Sequence, residues 1–297
     1  MAHSAEAVRG GNGPHFGKQD GEIPERRDSE IKRYSLAQHT VPGWTPPEII
    51  RNAAAIGYDM VGIRAIAQGV AGESWYDLAH DLPMAEKTRQ AMEETGVTIH
   101  DIDLIAIGDS TNVMTYEADL EAAADLGIEG VVCSVWTPNQ THYTEQFGRL
   151  CELAAQYHLT VNLEFVTWSD LRGLKEANAL LNAVNQSNAR ILLDTLHWHR
   201  SGVTFEDLAA CPAERFDLIH VCDIAAAMPT TNEELAKTGR EERLYPGEGA
   251  AEIRDIVERL PDRVIALEIP NKKRLADLGP YEYAKRCLEK TKSYLGE

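Results

Sequence analysis

Four stretches of this chain end an apolar run on a side chain able to hold a metal or move a proton. They are Val161-Asn162-Leu163-Glu164, Ile191-Leu192-Leu193-Asp194, Leu218-Ile219-His220 and Val264-Ile265-Ala266-Leu267-Glu268. Two glutamates, an aspartate and a histidine form an oxygen-rich donor set with one imidazole. Such a set suits a divalent ion of the Mn2+ or Mg2+ type. An ion chelating two adjacent substrate oxygens stabilises the charge that develops when a neighbouring carbon loses its proton, giving an enediolate. A carboxylate on each face can remove that proton and return it, which isomerises or epimerises the substrate. With a leaving group β to the carbanion, the same residues eliminate instead. His197 follows Asp194 by three residues and can contact substrate or support the aspartate.

Side chains this far apart in sequence meet only if successive elements bring their strand ends together. Short continuous apolar runs fit strands buried on both faces. From Tyr34 onward they alternate with helical patterns. Strands are predicted near 34–38, 60–63, 98–105, 130–135, 160–165, 189–193, 218–221 and 264–267. Helices are predicted at about 45–56, 83–95, 117–126, 141–157, 174–185, 205–210, 253–260 and 280–295. Eight such repeats predict a single closed α/β barrel, (β/α)8, over residues 33–297, with its chemistry at the carboxyl ends of the strands. The longest connections, 65–82 and 223–250, follow strands at that end. Residues 1–32 carry charge, glycine and histidine with little apolar periodicity. They read as a mobile tail or an arm that orders on a neighbouring subunit.

The chain has 297 residues, 43% hydrophobic and 26% charged, with a formal net charge of −18. That balance argues against a nucleic-acid partner, which needs a concentrated basic surface. No apolar run approaches the roughly 20 residues that span a bilayer, so no membrane partner is expected. Five scattered cysteines without a CxxC pair, and no secretory leader, read as reduced thiols of a cytoplasmic protein.

At Leu163-Glu164, Asp194-Thr195-Leu196-His197, Ile219-His220-Val221-Cys222-Asp223, Leu244-Tyr245-Pro246-Gly247-Glu248-Gly249 and Leu267-Glu268 the chain resembles the xylose isomerase-like sugar isomerases and epimerases. Members include ketose 3-epimerases, hydroxypyruvate isomerase and inosose dehydratase. The resemblance covers nearly everything after Tyr34. It implies one divalent metal on Glu164, Asp194, His220 and Glu268, with Glu164 and Glu268 as acid and base and His197 on a substrate oxygen. The ion expected is Mn2+, with Mg2+, Co2+ or Zn2+ as alternatives. The substrate expected is a small carbohydrate or polyol, and a homo-oligomer is compatible. Ala226 stands where ketose epimerases carry an arginine, so Arg240 and Arg243 are candidates to replace it. Arg64 stands where the family often has a carboxylate, and could clamp a carboxylate or phosphate. His39 and Trp136 end the first and fourth strands and should face the same cavity. Glu248 is a weaker candidate within a glycine-shaped turn. The leading reading is a metal-dependent isomerase or epimerase. A lyase of the same family is the alternative, and a non-catalytic barrel subunit stands behind both.

Overall fold

A computed structural model describes Met1 and residues 32–69 and 73–297. The stretch read as a tail lies, as far as Ile31, outside the described residues.

Eight parallel strands close into a barrel in sequence order. They are β1 (Tyr34–Ala37), β2 (Met60–Arg64), β3 (Thr98–Ile107), β4 (Gly130–Val135), β5 (Thr160–Glu164), β6 (Ala189–Asp194), β7 (Phe216–Val221) and β8 (Val264–Leu267). The principal outer helices are α1 (Pro46–Ile56), α2 (Leu82–Thr95), α3 (Glu117–Asp125), α4 (Gln140–Gln156) and α5 (Leu174–Val184). After β6 come α6 (Thr195–Arg200) and α7 (Phe205–Ala209); after β7, α8 (Asn232–Glu241) and α9 (Ile253–Arg259); after β8, α10 (Lys272–Leu278) and α11 (Pro280–Leu295). Local chemistry sets the helix limits. Thr45 and Glu48 form a capping box at the start of α1, two prolines follow, and Gly57 ends the helix in the left-handed region at φ +104°.

Successive side chains of a strand point to opposite faces, so parity decides what enters the barrel. Ile191 and Leu193 pack outward in the large core beneath the helices. Leu192, Leu218, Val264, Ala266, Met60 and Val132 form a separate apolar plug inside the barrel. Two residues beyond Leu192, Leu218 and Ala266 stand Asp194, His220 and Glu268. The same alternation that fills the barrel floor therefore aims the polar ends into its mouth.

Three helices depart from the sequence reading. Helix α6 starts immediately after Asp194, whose Oδ1 accepts the N–H groups of Leu196 and His197 at 2.6 and 3.3 Å. Helix α8 lies within the connection 223–250, and α10 follows β8. Both are short and polar, so they lack the apolar stripe that reveals a helix. Their caps were nonetheless readable: Thr231 with Glu234, and Asn271 on Arg274.

The Pro-Gly-Glu-Gly turn is folded around one carboxylate. Asp223 Oδ2 accepts the N–H groups of Gly247 and Gly249, and Oδ1 those of Ala251 and Ile224, all at 2.9 Å. A Cβ on Gly249 would lie 2.1 Å from the Ile224 carbonyl oxygen, so that position requires glycine. Asp223→Ala strands four N–H groups and is expected to cost about 3 kcal/mol or more. That corresponds to a melting temperature lowered by about 6 °C or more. Thermal unfolding checks it, and an unshifted transition would show that water replaces the carboxylate.

Candidate metal centre

Glu164 ends β5, Asp194 ends β6, His220 lies near the end of β7, and Glu268 follows β8. One donor atom from each lies within 4.8 Å of every other. Two ligands of a single ion can be no farther apart than twice the bond length, about 4–5 Å, so the spacing is that of one coordination shell.

Arg243 is buried against this cluster. Its Nη1 donates to Asp194 Oδ2 at 2.5 Å and to the Glu268 carbonyl at 3.1 Å, while Nη2 lies 2.8 Å from Glu268 Oε2. Its Nε donates to the Gly239 carbonyl on α8 at 2.7 Å, tying the α8 segment to the site. Three carboxylates and one guanidinium leave two negative charges, the deficit a divalent cation fills. His220 Nδ1 is buried with no hydrogen-bond partner, 3.5 Å from Glu268 Oε2 and 3.9 Å from Glu164 Oε1. An orphaned imidazole nitrogen facing carboxylates is what a metal ligand looks like without its ion, and the donor set fits such a group.

Protons compensate where the cation is not supplied. Burial opposes a charged His220, but the carboxylates of Glu268, Glu164 and Asp194 override it and push its pKa up to about 10. Burial and the neighbouring Glu268 hold Glu164 well above the carboxylate range. Burial would also raise Glu268, but Arg243 and His220 hold it well below that range. At neutral pH, ion-free His220 therefore carries a proton that a metal must expel, and Glu164 holds its proton to higher pH than an ordinary carboxyl. Loading is expected to release at least one proton per ion, from His220, with affinity rising with pH until His220 loses its proton unaided. Calorimetry in buffers of different ionisation heat measures this; pH-independent binding would contradict it.

His197 is the other polarised group. Its Nδ1 accepts the Thr167 N–H at 3.2 Å, which leaves the ring proton on Nε2, 4.0 Å from Glu164 Oε1. Burial lowers its pKa to about 4, so at neutral pH it is an uncharged N–H donor facing the cavity. Trp168 packs on it edge-on, with ring centroids 4.8 Å apart. His39 Nδ1 is 3.5 Å from Glu268 Oε1.

Glu164, His220, Glu268, His197, Trp168 and His39 line an inner cavity of about 100 Å³, together with Arg64, Trp136, Arg240 and Arg243. Of the residues singled out from sequence, two differ from the expected placement. Arg243 reaches the site, but its donors are spent on Asp194, Glu268 and Gly239, so it positions the carboxylates. Glu248 is exposed, pairs with Arg274 at 2.7 Å and lines neither chamber of the mouth. Its carboxylate also accepts the Tyr245 N–H within the turn, so its place is structural. Asp103 was missed. It lines the inner cavity from β3, is 7% exposed, and its Oδ1 has no partner. Burial, with Asp101 beside it, pushes its pKa up to about 7. The available signal was an acid in the middle of an apolar strand run.

Residues 50–291 match the model of the xylose isomerase-like TIM barrel family, and the chain belongs to that family. Among curated relatives, an inosose isomerase of Bacillus subtilis is 23% identical over 156 residues, 49% of this chain and 54% of the relative. The chain spans about half the length of the curated relatives it matches. A xylose isomerase domain containing protein from Salmonella typhimurium superposes with a TM-score of 0.73 at 21% identity, over 91% of this chain and 100% of that one. The IOLI protein, crystallised with a bound zinc atom, superposes with a TM-score of 0.72 at 18% identity, over 89% and 98%. Among the described residues no helix is long and apolar enough to cross a membrane.

Proposed function

We propose that this protein is a divalent-metal-dependent isomerase or epimerase of a sugar, keto-sugar or related polyol, with Glu164 and Glu268 as its acid/base pair. The observation that carries the reading is the convergence of Glu164, Asp194, His220 and Glu268 on one point inside a barrel mouth. The inosose isomerase name of the relative and the zinc atom of the structural neighbour agree with it. A divalent ion, Mn2+ in this reading and replaceable by Mg2+, Co2+ or Zn2+, supplies Lewis-acid stabilisation of the charge left on the substrate.

The chain's own groups do the rest. Arg243 and His220 keep Glu268 ionised, and Oε1, the oxygen away from Arg243, is free to take a proton from carbon. The C–H electron pair stays on the substrate. Glu164, separated from Glu268 by β6 and β7, lies on the other side of the cluster; it takes up a proton from water and returns it to carbon. Exchange with water then resets both carboxyls. His197 Nε2–H donates to a substrate oxygen, and the Trp136 and Trp168 rings wall out bulk water.

Incubating the Mn2+-loaded protein with ketoses and inososes in deuterated water tests the proposal. Deuterium incorporation without loss of mass is expected for at least one substrate. Loss of water or of an aglycone would replace the isomerase by a lyase. No exchange and no product across the panel would contradict both.

A further inference from the structure

The inner cavity opens into an outer chamber of about 790 Å³. Five residues line both spaces and so form the neck between them: His39, Arg64, Leu104, Trp136 and Arg240. Two of the five are arginines. Arg64 ends β2 and is half-buried, and Arg240 is exposed on α8. Arg243 next to them has its guanidinium fully engaged. By contrast, neither the Arg64 nor the Arg240 guanidinium makes a hydrogen bond or ion pair among the described residues; the N–H that Arg64 donates to Gln38 is its backbone one.

The other charges of the outer chamber are already matched. Lys272 pairs with Glu241 at 2.8 Å, and Glu73 accepts the backbone N–H groups of Gln68 and Gly69. On the inner side Asp103 lies near Arg64 without forming an ion pair with it. Among the described residues two guanidiniums without a protein partner thus line one passage, in a chain of formal charge −18. A guanidinium fork matches the two oxygens of a carboxylate or phosphate. The volumes add a second constraint. The inner cavity corresponds to about three waters of liquid volume, room for the reacting carbons and their oxygens. The remainder of a larger substrate must pass the neck.

We infer that Arg64 and Arg240 form an anion subsite, and that the substrate carries a carboxylate or phosphate on the end projecting from the inner cavity into the outer chamber. The substrate part of this inference rests on the proposed isomerase or epimerase reading. The preferred substrates are therefore keto-sugar phosphates or keto-sugar acids rather than neutral sugars.

The test uses the full-length, metal-loaded protein and its Arg64→Gln, Arg240→Gln and doubly substituted forms. Inorganic phosphate is titrated calorimetrically at constant ionic strength. The double variant is expected to bind it about tenfold or more weakly, because two charge-assisted contacts are lost. A panel then pairs each neutral ketose or inosose with its phosphorylated and carboxylated forms. For one of the two anions the wild type should show a kcat/KM at least about tenfold above the neutral partner, and the double variant should lose that preference. Whichever anion gives the larger ratio identifies the group. Unchanged phosphate affinity in the double variant, or a wild type that prefers neutral sugars, overturns the subsite. Failure of the isomerase reading looks different: phosphate binding stays arginine-dependent, but no sugar takes up deuterium.

Discussion

Glu268→Gln is expected to lower kcat by at least about 10²-fold, the range for removing a general acid or base. The amide preserves shape and one acceptor oxygen, but it takes up no proton at neutral pH. Substrate affinity should change less than turnover. Metal content must be measured alongside, since an amide is the poorer ligand and activity would also fall if the ion were lost. Glu248→Gln serves as the comparison. That residue pairs with Arg274 outside the cavity, so its substitution should leave turnover nearly unchanged. A metal-replete Glu268→Gln protein with near-normal kcat would sink the assignment and move the search for the base to His197 or Asp103.

The second large effect is on stability. Arg243→Met removes the only guanidinium contacting Asp194 and Glu268 among the described residues and leaves both acids buried without it. Breaking a buried pair from one side costs about 3–5 kcal/mol. For a barrel of this size the metal-free protein should melt on the order of 10 °C lower. The loss should be smaller in the Mn2+-loaded protein, where the cation offsets the same charges. Thermal unfolding with and without metal reads both. Equal losses in the two forms would mean that Arg243 acts through packing and its bond to Gly239, apart from the carboxylates.

The barrel and its four converging ends were legible because they depend on local patterns. Apolar runs of strand length alternate with helical ones, and each candidate ligand lies at or within one residue of a strand end, where period-two alternation fixes its direction. What was not legible depends on contacts between distant parts of the chain. Arg243 meets Asp194 from 49 residues away. Nothing near Arg243 in sequence distinguishes a guanidinium that braces carboxylates from one that binds substrate. Glu248 looked like a site acid because it sits in a glycine turn beyond a ligand strand. Only the docking of α10 shows that Arg274 claims it. Asp103 was hidden because its strand also carries Asp101, and the strand-end pattern that revealed the other four did not point to it. Helices α8 and α10 bury too little apolar surface to leave a periodic trace, and α6, with Leu196 and Trp198 fully buried, is only six residues long, too short to show a period.

The central claim is that one divalent ion sits between Glu164, Asp194, His220 and Glu268, and metal stoichiometry tests it most directly. The measurement is elemental analysis after Mn2+ loading and dialysis, on wild type, Glu164→Ala and His220→Ala. The Glu164 carboxylate makes no hydrogen bond among the described residues and its nearest charged contacts are 3.9–4.0 Å away, so truncating it should spare the fold, which circular dichroism checks independently. The account predicts about one ion per wild-type chain and a loss of most of it in both folded variants. Wild type that retains no ion, or folded variants that retain it as fully as wild type, would contradict the account.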